Sequence, residues 1–349
     1  MKCTIQNIAD HLGLSRNTVS KALKNSSEVS ENTRNLVIKT ASKLGYKNAT
    51  FATPVIPASE TGSNGTILFL TRIYASDSEF WTTVLRGIES ILSNANYHLA
   101  ISIMSDSDLK QLNFPQTISD SSIKGIILVE ICDKVVCDAL SQFNLPIVSV
   151  DMPNVPFEEL NGIDVVTMES KKNLKKIINQ LIEKGAESFG FVGDLYSPNV
   201  SRGFQERYNA LSECLAEHQL PLNQKNCLLH QTPEDFRNFQ TTVNNLQAMI
   251  SLPDVFICGN DWTAIQLIYA LQFLGFQIPK DICVVGFDNI PAASRISPSL
   301  TTISTPQKYL GIAAARQILE RIQHPNCPHV FCQYETELII RNSTNIISF

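Results

Sequence analysis

Apolar residues recur every three or four positions in two short runs between Thr4 and Lys24, a spacing typical of amphipathic helices. In the first run Thr4 can cap the helix, and Gly13 supplies the positive φ that ends it. Ser15 is the expected cap of the second run. The apolar face of the first helix would consist of Ile5, Ile8, Ala9 and Leu12. That of the second would consist of Val19, Ala22 and Leu23. Two short helices joined by a tight turn predict a helix-turn-helix.

The outer face of the second helix would carry Arg16, Asn17, Ser20 and Lys21. Arginine pairs well with the major-groove edge of guanine and asparagine with that of adenine, whereas hydroxyl groups suit phosphate oxygens. An ordinary helix pair capping a larger core would show the same apolar spacing. The glycine turn, the polar outer face and the local positive charge favour DNA binding over that alternative.

A third helix is expected between Ser30, its cap, and Gly45, with Leu36, Val37, Thr40, Ala41 and Leu44 on its inner face. Residues 48–65 then contain prolines, glycines and several serines and threonines, which is the composition of a linker. We therefore predict a DNA-binding domain over residues 1–47, a linker over 48–65 and a larger domain over 66–349.

Beyond the linker, short apolar runs alternate with amphipathic segments. The strand-like runs are Gly65–Leu70, His98–Met104, Gly125–Glu130, Ile147–Val150, Phe189–Gly193, Val255–Cys258 and Ile282–Phe287. The helical segments are Glu79–Asn94, Val135–Phe143, Lys171–Lys184, Gln205–His218, Pro233–Ile250 and Asp261–Leu274. Nearly continuous apolar strands separated by helices indicate parallel sheets covered on both faces. About 280 residues exceed one α/β core, so two lobes are expected.

Charge is distributed unevenly along the 349 residues. Residues 1–50 contain eight lysines and arginines against three acidic residues, a net charge of +5. The remainder contains 20 basic against 30 acidic residues, a net charge of −10. A basic head on an acidic body predicts that the head, and not the body, meets a polyanion.

Other classes of protein find little support. The nine cysteines include no CxxC pair, so buried thiols are favoured over a metal site or disulfide scaffold. The common nucleotide-binding and hydrolase motifs are missing, which argues against an enzyme and implies no cofactor. No leader-like or membrane-spanning apolar run occurs, so the protein is expected to stay in the cytoplasm without membrane association.

The chain resembles the lactose/galactose repressor (LacI/GalR) family over nearly its whole length. The resembling segments in the head are TIQNIADHLGLSRNTVSKAL and VSENTRNLVIKTASKLGYK. In the body they include SIKGIILVE (122–130), PIVSVD (146–151), CGNDWTAIQL (258–267) and IPKDICVVGFDNIPAASRISPSLTTISTP (278–306). The resemblance implies a homodimeric transcriptional repressor with a two-lobed, periplasmic-binding-protein-like (type I) core of parallel sheets.

The resemblance also implies site residues. The paired heads would read a pseudo-palindromic double-stranded operator, with Arg16, Asn17 and Lys21 at base-reading positions and Thr4, Ser15, Thr18 and Ser20 at phosphate-facing or packing positions. A small effector, a sugar or sugar derivative, would bind between the lobes. Its expected contacts are Phe80, Trp81, Arg207, Asn260 and Asp288.

Four of these effector residues also have a structural interpretation. Phe80 and Trp81 suit stacking on a sugar face, but they suit a hydrophobic core equally. Arg207 suits recognition of hydroxyl or carboxylate groups, or it lies on the surface of an amphipathic helix. Asp288 is either a hydroxyl acceptor or a turn residue capping the segment from Ile290. Asp261, next to Asn260, is expected to cap the following helix.

One segment departs from the family pattern. The family places a hinge helix after the third helix, with an apolar wedge for the minor groove. Here Val55 falls near the wedge position, but Pro54 precedes it, and a proline inside a helix costs ~3 kcal/mol. We therefore expect the hinge over residues 50–56 to be absent, shorter or differently built.

Two other functions remain open from the sequence. Some relatives are controlled by a partner protein and not by a ligand in the cleft, which would leave the cleft residues without a role. The body alone also suits a solute-binding receptor without a DNA role. The N-terminal head argues against that second alternative.

Overall fold

The computed structural model describes residues 4–23, 29–30, 33, 36–37, 40–41, 63–72, 78–195, 201–230 and 238–345. Contacts divide the chain into two units, Met1–Gly62 and Ser63–Phe349. The first contains the head, and the second contains two six-stranded sheets. The predicted linker and the hinge over residues 50–56 lie outside the described residues, apart from residues 63–65 at the linker's end.

The head begins with two helices, α1 (Ile5–Leu12) and α2 (Arg16–Leu23). The side chain of Thr4 accepts a hydrogen bond from the Asn7 backbone, and Gly13 adopts a left-handed φ of 63° after α1. Ile8, Ala9, Val19 and Ala22 are buried together. Both predicted helices and the glycine turn are confirmed.

Part of the third head helix is described. Residues 33, 36–37 and 40–41 are helical, and Ser30 accepts a hydrogen bond from the Thr33 backbone at 3.3 Å. Val37 and Ala41 are buried with the core of α1 and α2. The expectation for Leu36 was wrong, because half of this side chain is exposed.

The first sheet has the strand order β11-β5-β4-β3-β1-β2, and its paired strands are parallel. Its strands are β1 (Gly65–Arg72), β2 (Tyr97–Met104), β3 (Ile123–Val129), β4 (Ile147–Ser149), β5 (Ile163–Met168) and β11 (Phe331–Tyr334). The flanking helices are α3 (Glu79–Leu92), α4 (Asp106–Gln111), α5 (Lys134–Ser141) and α10 (Gln307–Gln323). Ile67 and Phe69 of β1 belong to one apolar cluster, and Leu68 and Leu70 belong to another. Both faces of the sheet are therefore covered by helices.

The second sheet has the order β12-β10-β9-β8-β6-β7 and is parallel except at β12. Its strands are β6 (Phe189–Asp194), β7 (Leu228–His230), β8 (Val255–Cys258), β9 (Cys283–Asp288), β10 (Thr301–Ser304) and β12 (Glu337–Ile339). Its helices are α6 (Lys172–Glu183), α7 (Arg202–Glu217), α8 (Phe239–Ala248) and α9 (Asp261–Phe273). Two lobes of parallel α/β structure were predicted and are confirmed.

The chain crosses between the lobes three times: after β5, after β10, and between β11 and β12. Hydrogen bonds join the first and third crossings, since Glu169 N donates to the Tyr334 carbonyl at 2.8 Å and Asn173 Nδ2 to the Thr336 carbonyl at 2.7 Å. Crossings of this kind suit a hinge about which two lobes open and close. Among the described residues, none of the helices is long and apolar enough to cross a bilayer.

Candidate functional site

The predicted DNA-binding residues lie at the start of the head's two helices. Arg16 and Asn17 open α2 with exposed side chains, and Lys21 lies half-buried one turn later. The Ser15 hydroxyl accepts a hydrogen bond from the Thr18 backbone at 3.0 Å and lies 2.8 Å from the Thr18 hydroxyl. Ser15 therefore caps α2 as predicted, and the helix presents an arginine and an amide in its first turn.

Thr4 and Ser20 complete the predicted set in the head. Thr4 forms a capping box with Asn7, whose side chain accepts the Thr4 backbone donor at 2.9 Å. Ser20 lies half-buried in α2 beside the buried Val19. Thr4 is thus first of all a structural cap, and its exposed position also leaves it able to meet a phosphate.

A second candidate site lies where the carboxyl ends of the two sheets approach one another. In such open sheets ligands bind outside the carboxyl ends, where the strand order reverses. The order reverses at β1/β3 in the first sheet and at β6/β8 in the second. Charged residues end the strands here or follow them within two residues: Arg72, Glu130 and Asp151 in the first lobe, and Asp194 and Asp288 in the second.

The lobes touch beside this cleft. Pro153 forms an isolated antiparallel bridge with Ser201, and Arg202 N donates to the Met152 carbonyl at 3.0 Å. Ser201 also caps α7, where its hydroxyl accepts the Phe204 backbone donor at 3.3 Å. These contacts therefore hold the first turn of α7 against the loop after β4. Arg207 lies one turn further along the same helix.

Arg207 is buried, with 3% of its surface exposed, which rules out the surface interpretation. Its Nη1 donates a 2.6 Å hydrogen bond to the Gly259 carbonyl, and its guanidinium stacks on Phe287, 3.6 Å from the ring centroid. Burial lowers the pKa of Arg207, and the neighbouring carboxyls of Asp288 and Asp151 oppose that shift. The charge of this guanidinium is thus influenced by acidic groups of both lobes.

Asp288 lies at the end of β9 and is also buried. Burial raises its pKa well above the usual range, while Arg207 acts in the opposite direction. Its backbone has a φ of 113°, which residues with a side chain rarely adopt. Gln307 Nε2 and Thr305 Oγ1 donate to its carbonyl at 2.7 and 3.1 Å and hold this conformation. Asp288 does not cap the segment from Ile290, whose backbone N–H is bound by Asp261 at 2.9 Å.

The cap of α9 was assigned to the wrong residue. Asn260, and not Asp261, is the cap, because the Asn260 side chain accepts the Thr263 backbone donor at 2.9 Å. The Asp261 carboxylate is fully buried and accepts hydrogen bonds from the Ile290 backbone and from Thr302 Oγ1 at 2.5 Å. The cap uses the side-chain oxygen of Asn260. The predicted contact with an effector would therefore use the side-chain NH2 group as donor.

Phe80 and Trp81 lie in the first turn of α3 and are almost entirely buried. Their rings meet edge to face with centroids 4.6 Å apart, and both belong to an apolar core cluster. The Trp81 indole also lowers the pKa of the Glu130 carboxyl, against the larger effect of burial. The structure therefore gives both rings a packing role and connects Trp81 to the cleft through Glu130.

Two acidic residues of the cleft were missed from the sequence. Glu130 and Asp151 follow β3 and β4, and burial raises their pKa values to about 7 and about 6. Each is the last residue of a segment that carries the family resemblance, so position directly after a buried strand was the available signal. Within the described residues, no group of three or more potential metal ligands is arranged to hold a metal ion.

Two family models match this chain. Residues 4–48 match the bacterial regulatory proteins of the lacI family, and residues 178–344 match the periplasmic binding protein-like domain. The transcriptional repressor PurR of Photobacterium profundum is 26% identical over 345 residues, 97% of this chain and 98% of that protein. The ribose operon repressor of Haemophilus influenzae is 27% identical over 344 residues, again 97% of this chain and 98% of that protein.

Solved structures share the fold. A lac repressor dimer bound to operator and an anti-inducer has a TM-score of 0.67 at 20% identity and covers 99% of both chains. A complex of the transcriptional regulator CelR with cellobiose has a TM-score of 0.69 at 19% identity and covers 98% of this chain and 100% of that chain. The predicted fold class, a helix-turn-helix head with a two-lobed binding-protein-like core, is confirmed.

Proposed function

Because this chain belongs to the LacI family of bacterial regulatory proteins, we propose that a small effector between its lobes controls how tightly its head binds an operator. The protein is a sequence-specific DNA-binding transcriptional regulator. Its relatives are repressors, so we propose repression as its output, and binding without catalysis as the role of its cleft. The proposed domains are a head over 1–47, a linker over 48–65 and an effector-binding, dimerising core over 66–349, acting on operator DNA in the cytoplasm.

The observation that carries the effector proposal is that the buried Arg207 lies on α7, whose first turn is hydrogen-bonded to the loop after β4 of the other lobe. Asp288 of the same lobe and Asp151 of the other lobe both act on its charge. A ligand that bridges these groups would bind the closed arrangement more tightly than the open one. Such a difference in affinity is what allows a ligand to shift an equilibrium between conformations.

A sugar or sugar derivative suits the polar groups of this cleft. Carboxylates accept hydrogen bonds from hydroxyl groups, and a guanidinium donates to them. The cellobiose complex of CelR shows that this fold accommodates a carbohydrate. We propose Arg207, Asn260 and Asp288 as direct contacts and Phe80 and Trp81 as the aromatic wall behind them.

On the DNA side, we propose that Arg16, Asn17 and Lys21 read bases in the major groove. Ser15, Thr18, Ser20 and Thr4 would position the head on phosphates. The exposed first turn of α2 supports this division, because residues at the start of the second helix reach base edges in this motif.

We also propose a homodimer that matches a pseudo-palindromic operator. Helix α9 carries an exposed apolar stripe of Trp262, Tyr269 and Phe273, with 40, 44 and 70% of their surfaces exposed. Phe239 of α8 extends this stripe, with its ring centroid 5.9 Å from that of Phe273. Large apolar side chains clustered on one surface are typical of an interface.

Selection of bound sequences from a random DNA pool tests the proposed function. We expect a two-fold-symmetric DNA site to be enriched. When the selection is repeated with a cleft ligand, the amount of this DNA that the protein retains should change. A symmetric site that no small molecule affects would favour control by a partner protein. Failure to enrich any sequence would contradict operator recognition itself.

A further inference from the structure

We infer that Gln307 positions the carboxyl group of Asp288 for the effector, and that it does so from the opposite lobe. Asp288 ends β9 of the second sheet, whereas Gln307 is the first residue of α10, which packs against the first sheet. The inference rests on the proposed function, because it concerns the same cleft. Gln307 would be a positioning residue that acts through Asp288, which makes the effector contact.

The backbone at the end of β9 has a conformation that residues with a side chain rarely adopt. Asp288 has a φ of 113° and Asn289 a φ of 56°. Asparagine tolerates the left-handed region, so the conformational cost falls mainly on Asp288. Backbone strain of this kind persists only where neighbouring contacts over-determine the conformation, and it clusters at ligand-binding sites. Specific contacts must therefore hold Asp288 in place.

Hydrogen bonds fix the peptide group between Asp288 and Asn289 at both ends. Its carbonyl oxygen accepts from Gln307 Nε2 at 2.7 Å and from Thr305 Oγ1 at 3.1 Å. Its N–H group, which belongs to Asn289, donates to Thr302 Oγ1 at 3.4 Å. The bond from Gln307 is the shortest of the three, so its removal should release the peptide group most.

The next part of the same turn is anchored within the second lobe. Asn289 Nδ2 donates to Ser304 Oγ at 3.1 Å, and Asn289 Oδ1 accepts from Arg341 Nη2 at 2.6 Å. The Ile290 backbone donates to the Asp261 carboxylate at 2.9 Å. These contacts hold the turn on its own lobe, whereas the bond from Gln307 ties its first residue to α10.

Helix α10 is fastened to the first lobe by side chains further along it. Gln317 Nε2 and Arg321 Nε each donate to the Asp164 carboxylate of β5 at 3.0 Å. Gln307 therefore moves with the first lobe, and an arrangement of the lobes that draws α10 away from β9 would break its bond to Asp288. An effector that uses the Asp288 carboxyl would then bind most tightly to the arrangement in which this bond is made.

A comparison of glycine with alanine at position 288 measures this strain without any ligand. Asp288→Gly and Asp288→Ala both remove the carboxyl group, but glycine adopts a φ of 113° at little cost. In urea unfolding of the full-length protein, the midpoint of the glycine variant should therefore be about 0.3–1 M higher. When Gln307→Met is added to each variant, residue 288 can relax, and this difference should fall to about half or less. Gln317→Met removes a similar bond from the same helix and should leave the difference unchanged.

Titration calorimetry then tests whether the effector depends on this bond. The probes are D-ribose and cellobiose, which are bound in solved structures of this fold. Gln307→Met should weaken the binding of a sugar about tenfold, as the loss of one well-aligned hydrogen bond to the ligand would give, whereas Gln317→Met should change it less than about twofold. In a protein that already carries Asp288→Ala, Gln307→Met should weaken binding little further, because it acts through the missing carboxyl.

The second donor to the Asp288 carbonyl provides an independent pair of variants. Thr305→Val removes the hydroxyl donor and should reduce the difference between glycine and alanine at position 288 in the same direction as Gln307→Met. Thr305→Ser keeps a hydroxyl at this position and should restore the difference. This pair carries the test if Gln307→Met does not fold.

Each contrary result has a distinct meaning. An unchanged difference between glycine and alanine at position 288 in both Gln307→Met and Thr305→Val would overturn the inference. Losses of affinity that simply add in the Asp288→Ala protein would also overturn it, because Gln307 would then act by another route. If neither sugar binds the natural protein, the proposed sugar effector fails separately, and the unfolding comparison alone upholds or overturns the role of Gln307.

Discussion

The guanidinium of Arg207 lies flat against Phe287, 3.6 Å from its ring centroid, one residue before Asp288 in the chain. The ring is fully buried, so it fixes the plane in which the guanidinium donates. A planar donor fixed against an aromatic face is well suited to a ligand that bridges two lobes.

Arg207→Ala should abolish the response to effector while the head still binds operator. The same change removes the buried hydrogen bond to the Gly259 carbonyl and the stacking on Phe287, so the core should also lose about 1–3 kcal/mol of stability. Operator titrations with and without ligand, together with urea unfolding, separate the two effects. Arg207→Lys keeps the charge but loses the planar fork, and it should restore stability more than response. An unaltered response curve in the alanine variant would contradict the assignment.

Arg16→Ala should relax base preference at one base pair of each half-site. A good bidentate contact contributes ~1–3 kcal/mol of discrimination between bases. Titration of the selected operator and its single-base variants measures this loss position by position. Gln6→Ala, which changes an exposed residue of α1, is the control and should leave the preference intact. Retained discrimination at every position in Arg16→Ala would show that this side chain does not read bases.

Glu130→Gln should change the pH dependence of stability. Burial raises the pKa of Glu130 from 4.5 to about 7, so its contribution to stability is complete below pH 4.5 and is lost as the pH rises through 7. Glutamine does not titrate. When the pH rises from 4 to 8, the free energy of unfolding of the variant should therefore increase by about 1–3 kcal/mol relative to that of the natural protein. Urea unfolding at both pH values measures this difference. A difference that does not change with pH would contradict the raised pKa.

The sequence predicted most of the strands that consist of uninterrupted buried apolar runs. Strands β1, β3 and β8 were placed to within one or two residues, because both of their faces are covered and their residues are almost all apolar. Strands β5, β7, β10, β11 and β12 were missed. Strands β11 and β12 are short, half-exposed and partly polar, so neither a continuous apolar run nor a clean alternation marks them. In β5 the buried Asp164 interrupts the apolar run.

Helix α10 was missed for a different reason. Its inner face includes the buried Arg321, which forms a bidentate ion pair with the buried Asp164 of β5 at 3.0 and 2.8 Å. A charged residue on the inner face obscures the apolar stripe by which a helix is recognised. In the cleft, Arg207 and Asp288 followed from family motifs. The part that Glu130 plays in raising the pKa of Asp288 depends on how two lobes meet, and that is not visible in local sequence.

Gly311→Ala should destabilise the first lobe. Alanine usually stabilises a helix interior relative to glycine by about 1 kcal/mol, but a Cβ on Gly311 of α10 would overlap the Val84 carbonyl oxygen of α3. The two helices would have to separate, so we expect a net loss of about 1–3 kcal/mol in urea unfolding. Lys308→Ala, an exposed change on the same helix, should alter stability by less than about 0.5 kcal/mol. A stabilised Gly311→Ala protein would show that the helices separate at little cost.

The double change Tyr269→Glu and Phe273→Glu should separate the proposed dimer. Both side chains are exposed on one stripe of α9, so charges there should disrupt an interface without entering the core of the lobe. Analytical ultracentrifugation should show a monomer with a native circular dichroism spectrum. Because two linked heads bind a symmetric operator far more tightly than one, the variant should lose its preference for a full operator over a half-site. Val135→Glu places a charge at an exposed apolar residue of α5 in the first lobe and should leave the dimer intact. A double variant that still sediments as a dimer would place the subunit interface on another surface.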